Sequence, residues 1–217
     1  MATQISNKLN VQIVLDRSGS MADCWEDALK SVNTYVKELA GDENIKARVS
    51  VVVFDSQSID EVRSNVKAKE FDPVTDEDCL PRGMTPLLDA VGQTITKMDA
   101  VANDKRNALV IMTDGHENAS VEFKTATISK MVKDRQAKGW LITYLGADHD
   151  AWDQARHLGF AASHTADFSK GAMGEVAASL SVNTRAYASA ITMEDGLVEA
   201  SYSVEQRKQM KGGPSSA

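Results

Sequence analysis

The chain of 217 residues carries 24 basic and 31 acidic side chains, a net charge of −7, with 42% apolar and 25% charged residues. An ordinary apolar fraction and only two cysteines exclude a disordered chain, a collagen and a disulfide scaffold, and this length buries enough surface to fold as one α/β domain. The excess of acid argues against nucleic acid or an anionic membrane as partner, because affinity for either rests on Lys and Arg.

Met1–Gln12 holds one Lys and no continuous apolar run, so no signal peptide is read there. The longest apolar runs, such as Val49–Phe54 and Trp140–Leu145, are far shorter than a bilayer span. The expectation is a cytoplasmic protein in which Cys24 and Cys79 stay reduced. No CxxC or Cys/His cluster supports zinc or dithiol chemistry. Asn118-Ala119-Ser120 is then a chance glycosylation match.

Leu9–Leu15 is an apolar, β-branched run that stops at Asp16-Arg17-Ser18-Gly19-Ser20. Met21, Trp25, Ala28, Leu29, Val32, Val36 and Leu39 then draw one helical stripe, closed by Gly41. Val49–Phe54 is a second buried strand, and Ser58–Val66, with charges and weaker alternation, suits an exposed edge. Phe71–Met84 reads as a loop. Pro86 opens a helix with Leu87, Leu88, Val91, Ile95 and Met98 on one face. Ala108–Met112 is the next strand and ends at Thr113-Asp114-Gly115. A helix over Glu122–Ala137 leads to the strand Trp140–Leu145, a short helix at Ala151–Leu158 and a short strand near Phe160–Ser163. Met173 to Ile191 marks a final helix. Leu197–Val204 is read as one more strand, and the end from Gly212 as frayed. Strands apolar on both faces that alternate with helices imply a mostly parallel sheet covered on both sides.

Ligands of such sheets bind beyond the carboxyl ends of the strands. Asp16, Ser18 and Ser20 follow the first strand, Asp114 follows Thr113, and Thr85 sits in the turn before the helix at Leu87. Two carboxylates and three hydroxyls make an oxygen-only set, the donor type preferred by Mg²⁺ and Mn²⁺. Hydroxyls neutralise none of the cation's charge. An ion held this way stays electrophilic and seeks an anionic oxygen from outside, most naturally an Asp or Glu carboxylate.

Asp-x-Ser-x-Ser at Asp16–Ser20, Gly-x-Thr-Pro-Leu at Gly83–Leu87 and Thr-Asp-Gly at Thr113–Gly115 resemble, in order and interval, the metal-ion-dependent adhesion site of von Willebrand factor type A domains. The resemblance implies a doubly wound sheet ordered 3-2-1-4-5-6 with strand 3 antiparallel. It also implies that Asp16, Ser18, Ser20, Thr85 and Asp114 hold Mg²⁺ or Mn²⁺ while a partner's acidic oxygen completes the shell. Ser18 and Ser20 would bind directly, one or both aspartates through water, and Thr85 either way. The bland alternative is that Ser18 and Ser20 cap the following helix and the aspartates are turn residues.

Asp55 and Asp148 also follow strands and form either an acidic rim or ordinary turns. Arg17 and Arg82 either offset that rim or are solvated. His116 and Glu117 do not begin an HExxH motif and read as surface loop residues above the metal, with Glu117 reaching the metal region as the alternative. His149, His157 and His164 lack metal-ligand spacing, and Trp25 is expected in the core. Asp72, Asp76 and Asp78 fail the EF-hand pattern, Gly171–Gly174 is too weak for a phosphate loop, and Arg207, Lys208 and Lys211 read as a solvated end. The reading is therefore a type A domain over 1–191 with a C-terminal extension, 192–217. It is expected to be a non-enzymatic, metal-dependent adaptor of the small stand-alone bacterial or phage kind that docks an acidic protein partner. A Mg²⁺-dependent phosphoryl hydrolase and a structural or virion component are the alternatives.

Overall fold

The computed structural model describes residues 8–101, 106–147, 151–190 and 192–213. Six strands form one sheet in the order β3-β2-β1-β4-β5-β6: β1 (Lys8–Asp16), β2 (Lys46–Phe54), β3 (Ile59–Lys67), β4 (Arg106–Thr113), β5 (Leu141–Ala147) and β6 (Thr165–Phe168). All pairings are parallel except that of β3 with β2. The order and the antiparallel edge are those expected from the sequence.

Seven helices complete the described chain: α1 (Trp25–Gly41), α2 (Leu87–Asp99), α3 (Thr125–Gln136), α4 (Ala151–His157), α5 (Met173–Ser189), α6 (Met193–Glu199) and α7 (Val204–Met210). The central strands are apolar on both faces because each face has its own helical cover. Val11, Ile13 and Leu15 join the core under α1 and α5. Val14, Leu109 and Ile111 join a second core under α2, α3 and α4.

Three local expectations are corrected. The stripe from Met21 begins as a 3-10 turn, Gly19–Cys24, before α1 proper, because the chain is still tied to the strand ends there. The last strand is Thr165–Phe168 rather than Phe160–Ser163, since Phe160 instead closes the turn after α4 through its bond to Ala155. Leu197–Val204 is no strand: it spans the end of α6, a bend and the start of α7, and both helices carry side-chain caps at Thr192 and Ser203. Ile191 and residues 214–217 lie outside the described residues, as do Asp148 and His149.

The C-terminal helices are not a solvated end. Arg207 donates to the carbonyls of Thr165, Ala162, Ser163 and Tyr202, which fastens α7 along β6. Lys211 pairs with Asp167 at 2.5 Å, and Met210 and Tyr202 are buried in the α1/α5 core.

Candidate metal centre

The parallel register sets Leu15 beside Met112, so the residues that follow, Asp16 and Thr113-Asp114, emerge together at one sheet edge. Asp16 is fully buried. Its Oδ1 accepts from the Ser18 backbone N–H at 2.7 Å, and its Oδ2 accepts from Thr113 Oγ1 at 2.6 Å. The Thr113 hydroxyl in turn accepts from the Gly115 N–H at 3.1 Å. Ser18 Oγ lies 3.1 Å from Ser20 Oγ, and Ser20 Oγ donates to Asp114 Oδ1 at 2.6 Å. Ser18 makes no side-chain cap bond to the following turn, which removes the capping reading for it.

Thr85 joins from a third segment. A Cβ added to Gly115 would stand 2.9 Å from Thr85 Oγ1 and 3.5 Å from Asp16 Oδ2, so only glycine leaves both oxygens undisturbed there. Asn118 holds Thr85 from both sides of its backbone. Asn118 Oδ1 accepts from the Thr85 N–H at 2.8 Å, and the Asn118 N–H donates to the Thr85 carbonyl at 3.1 Å. All five sequence-predicted residues thus meet at one place.

The loops that carry them are tied to each other. Gly19 N–H donates to the Gly83 carbonyl and Arg82 N–H to the Arg17 carbonyl. Gly83 has φ +68°, and a side chain there would strike Ser56 Oγ, which accepts from the Met84 N–H. Asp55 is neither a rim acid nor a simple turn. It is buried between Arg17 Nε at 2.5 Å and Arg82 Nε at 2.9 Å, and it also accepts from the Gln57 and Ser58 N–H groups. Burial alone would raise its carboxyl, but Arg82, the Gln57 N–H and Arg17 outweigh that and hold it below the usual range. Arg17 is therefore buried rather than solvated.

Glu117 does not turn to the metal region. Its carboxylate accepts from Leu88 N–H at the start of α2 and from the Ala119 and Ser120 N–H groups. Asp89 returns the favour by accepting from the N–H groups of 121, 122 and 123. Trp25 is in the core as expected, with its Nε1 donating to the Cys79 carbonyl. Cys24 and Cys79 are buried free thiols. Asp72 and Asp78 pair with Arg63.

The donor chemistry fits a hard divalent cation. Among the described residues no group of three or more His, Cys, Asp or Glu side chains is arranged to hold a metal; this set is instead two carboxylates with three hydroxyls. Burial pushes the Asp16 carboxyl up to about 6, against the hydrogen bonds from Thr113 and Ser18 and with the Asp114 charge adding to the rise. One positive group is already drawn to the edge of the site: Lys170 Nζ stands 3.0 Å from Asp114 Oδ2 and donates to the Ser20 carbonyl at 3.1 Å. Sequence reasoning missed Lys170, Thr113, Asn118 and the role of Asp55.

The family model of the von Willebrand factor type A domain matches residues 10–177. The chain belongs to that family. Solved structures with the same type A fold include the SpRpn10 VWA domain, at a TM-score of 0.55 and 12% identity over 73% of this chain and 85% of that one. Manganese-loaded Plasmodium vivax TRAP protein matches with a TM-score of 0.57 and 13% identity over 81% and 73% of the two chains. The von Willebrand factor type A protein from Catenulispora acidiphila gives 0.59 and 14% over 82% of this chain and 43% of its own. At such identities the likeness is one of fold. Among curated proteins none matches this sequence. Among the described residues no helix is long and apolar enough to cross a membrane.

Proposed function

We propose that this type A domain is a divalent-cation-dependent protein-binding module. Asp16, Ser18, Ser20, Thr85 and Asp114 would hold Mg²⁺ or Mn²⁺, and the ion would dock an Asp or Glu side chain of a partner protein. The observation that carries this reading is the 3.1 Å spacing of the Ser18 and Ser20 hydroxyls beside the two carboxylates. Neighbouring oxygens around an octahedral Mg²⁺ at about 2.1 Å stand about 3.0 Å apart, so the hydrogen-bonded pair of hydroxyls has a separation that suits one edge of such a shell. The manganese of the Plasmodium vivax TRAP structure is consistent with a cation in this fold.

The charge balance favours an acidic partner. Three of the five side chains are neutral, and Asp114 gives one oxygen to Lys170 and the other to Ser20. The cation would keep much of its charge, and a carboxylate from outside satisfies it. We read the module as a cytoplasmic assembly or regulatory adaptor of the bacterial or phage kind, with residues 1–191 as the type A unit and 192–217 as its extension. Phosphoryl hydrolysis is less favoured because Glu117, the acid nearest in sequence to Asp114, is consumed at the start of α2.

Affinity capture on the whole chain, in Mg²⁺ and in chelator, tests the reading. A partner retained in Mg²⁺ and lost both with chelator and with a folded Asp16→Ala variant is the expected result. Capture that survives both treatments overturns the metal bridge. Metal-dependent turnover of phosphate esters, abolished by the same substitution, would establish the hydrolase instead.

A further inference from the structure

The loop that ends in Thr85 presents two large apolar side chains to solvent, Leu80 at 59% and Met84 at 54% exposure. The other well-exposed large apolar residues among those described are all valines. Isolated exposed hydrophobics are ordinary, but these two stand four residues apart on a loop that is fixed along its length. The Cys79 carbonyl accepts from Trp25 Nε1, the Arg82 N–H donates to Arg17, the Gly83 carbonyl accepts from Gly19 and the Met84 N–H donates to Ser56. Backbone bonds hold the loop at Cys79, Arg82, Gly83 and Met84, while the Leu80 and Met84 side chains stay exposed.

A loop held in this way loses little further freedom when a ligand covers it, so burying its side chains converts efficiently into affinity. Methionine adapts to varied apolar surfaces. Arg82, between the two, keeps 45% of its side chain exposed, and Lys170, beside Asp114, keeps 36%. Upstream in the loop, Asp78 pairs with Arg63 and Asp76 lines a groove beside α1.

We propose that Leu80 and Met84 form an apolar shelf beside the metal centre, and that the partner segment bears a large aliphatic or aromatic side chain within a few residues of its metal-bound acid. This rests on the metal-bridged reading above and specifies the partner that the site accepts. The shelf contributes affinity and selectivity without touching the cation.

An array of 11-residue peptides with a central Asp and randomised flanks, probed with the whole protein in Mg²⁺ and in chelator, tests it. Chelator-sensitive peptides enriched in Leu, Ile, Met or Phe near the Asp are expected, with binding weakened at least tenfold in a Leu80→Ser/Met84→Ser variant and at least threefold in Met84→Ser alone. Both variants should keep wild-type Mg²⁺ affinity and thermal stability. Chelator-sensitive, Asp-dependent peptides with no apolar preference, or variants that bind them within twofold of wild type, overturn the shelf and leave the metal bridge standing. If no peptide depends on both Mg²⁺ and its Asp, the metal-bridged reading falls, and the shelf with it.

Discussion

Lys170 Nζ sits 3.0 Å from Asp114 Oδ2, so an ammonium group from the turn before α5 already neutralises part of a carboxylate assigned to a metal. The same ammonium donates to the carbonyl of Ser20, whose hydroxyl bonds the other Asp114 oxygen. The lysine thus bridges two of the segments that carry the proposed ligands, at the expense of the negative potential there.

Removing that charge should tighten cation binding. A unit charge about 4 Å away is worth roughly 1–4 kcal/mol in water-like to protein-surface dielectrics, and partial exposure reduces it. Lys170→Met is therefore expected to bind Mg²⁺ about three- to tenfold more tightly than wild type in titration calorimetry, with the gain shrinking at high salt. Equal or weaker binding would show that the lysine orders the site more than it repels the ion.

Asp55 links Arg17, between two of the proposed ligands, to Arg82, three residues before a third. Loss of its carboxylate leaves the buried Arg17 guanidinium with Asp60 and Ser58 as its remaining side-chain partners. Asp55→Ala should cost about 3 kcal/mol in urea unfolding, as is usual when one member of a buried ion pair is removed. Replacing Arg17 by Met in the same chain should recover part of that loss. A stability change below about 1 kcal/mol for Asp55→Ala would contradict the buried clamp.

Asn118 and Thr85 form a backbone clamp of two hydrogen bonds, one of which needs the Asn118 side chain. Asn118→Ala should lose about 1–2 kcal/mol of stability, the usual cost of a buried N–H left without its acceptor, and several-fold in Mg²⁺ affinity because Thr85 loses its hold. Asn118→Asp keeps the acceptor oxygen and should restore both. If the alanine variant loses stability but binds the ion as wild type does, Thr85 is not part of the centre.

The five proposed ligands could be read in the sequence because each sits in a short local pattern next to an apolar strand or a helix start. Their supports could not. Thr113 meets Asp16 across 97 residues, and Lys170 meets Ser20 across 150, so no window of sequence shows either pair. Asp55 and Arg17 look like any turn acid and any loop cation until the register of β1 and β2 sets Asp16 beside Phe54 and brings them together. The helices after 191 are a different case, since local signals for them stand in the sequence. Thr192 accepts from the Asp195 N–H, and Ser203 with Gln206 forms a full capping box. The apolar residues at 197, 198, 202 and 204 suit a strand by spacing, and the two caps decide for helices.

His164 gives the stability a dependence on acid that can be separated from that of the metal centre. It is buried just before β6, with Nε2 2.8 Å from the Leu197 carbonyl of α6. Burial lowers its pKa below the ordinary value; the Leu197 bond opposes this, and the charge of Arg207 adds to it. The unfolded chain therefore binds a proton on this ring more readily than the native one. The contribution to stability is complete above about pH 6.5, the unfolded value, and is lost as pH falls through it toward the native one. Asp16 has the opposite sign: its native carboxyl, raised to about 6, binds a proton more readily than the unfolded one, so its cost to stability is relieved on acidification. A comparison with His164→Gln cancels the contribution of Asp16, which is common to both proteins. Between pH 7.5 and 5.5, urea unfolding in Mg²⁺-free buffer should show a larger loss of stability for wild type than for the variant. Parallel losses would mean that the α6 contact is indifferent to the charge on this histidine.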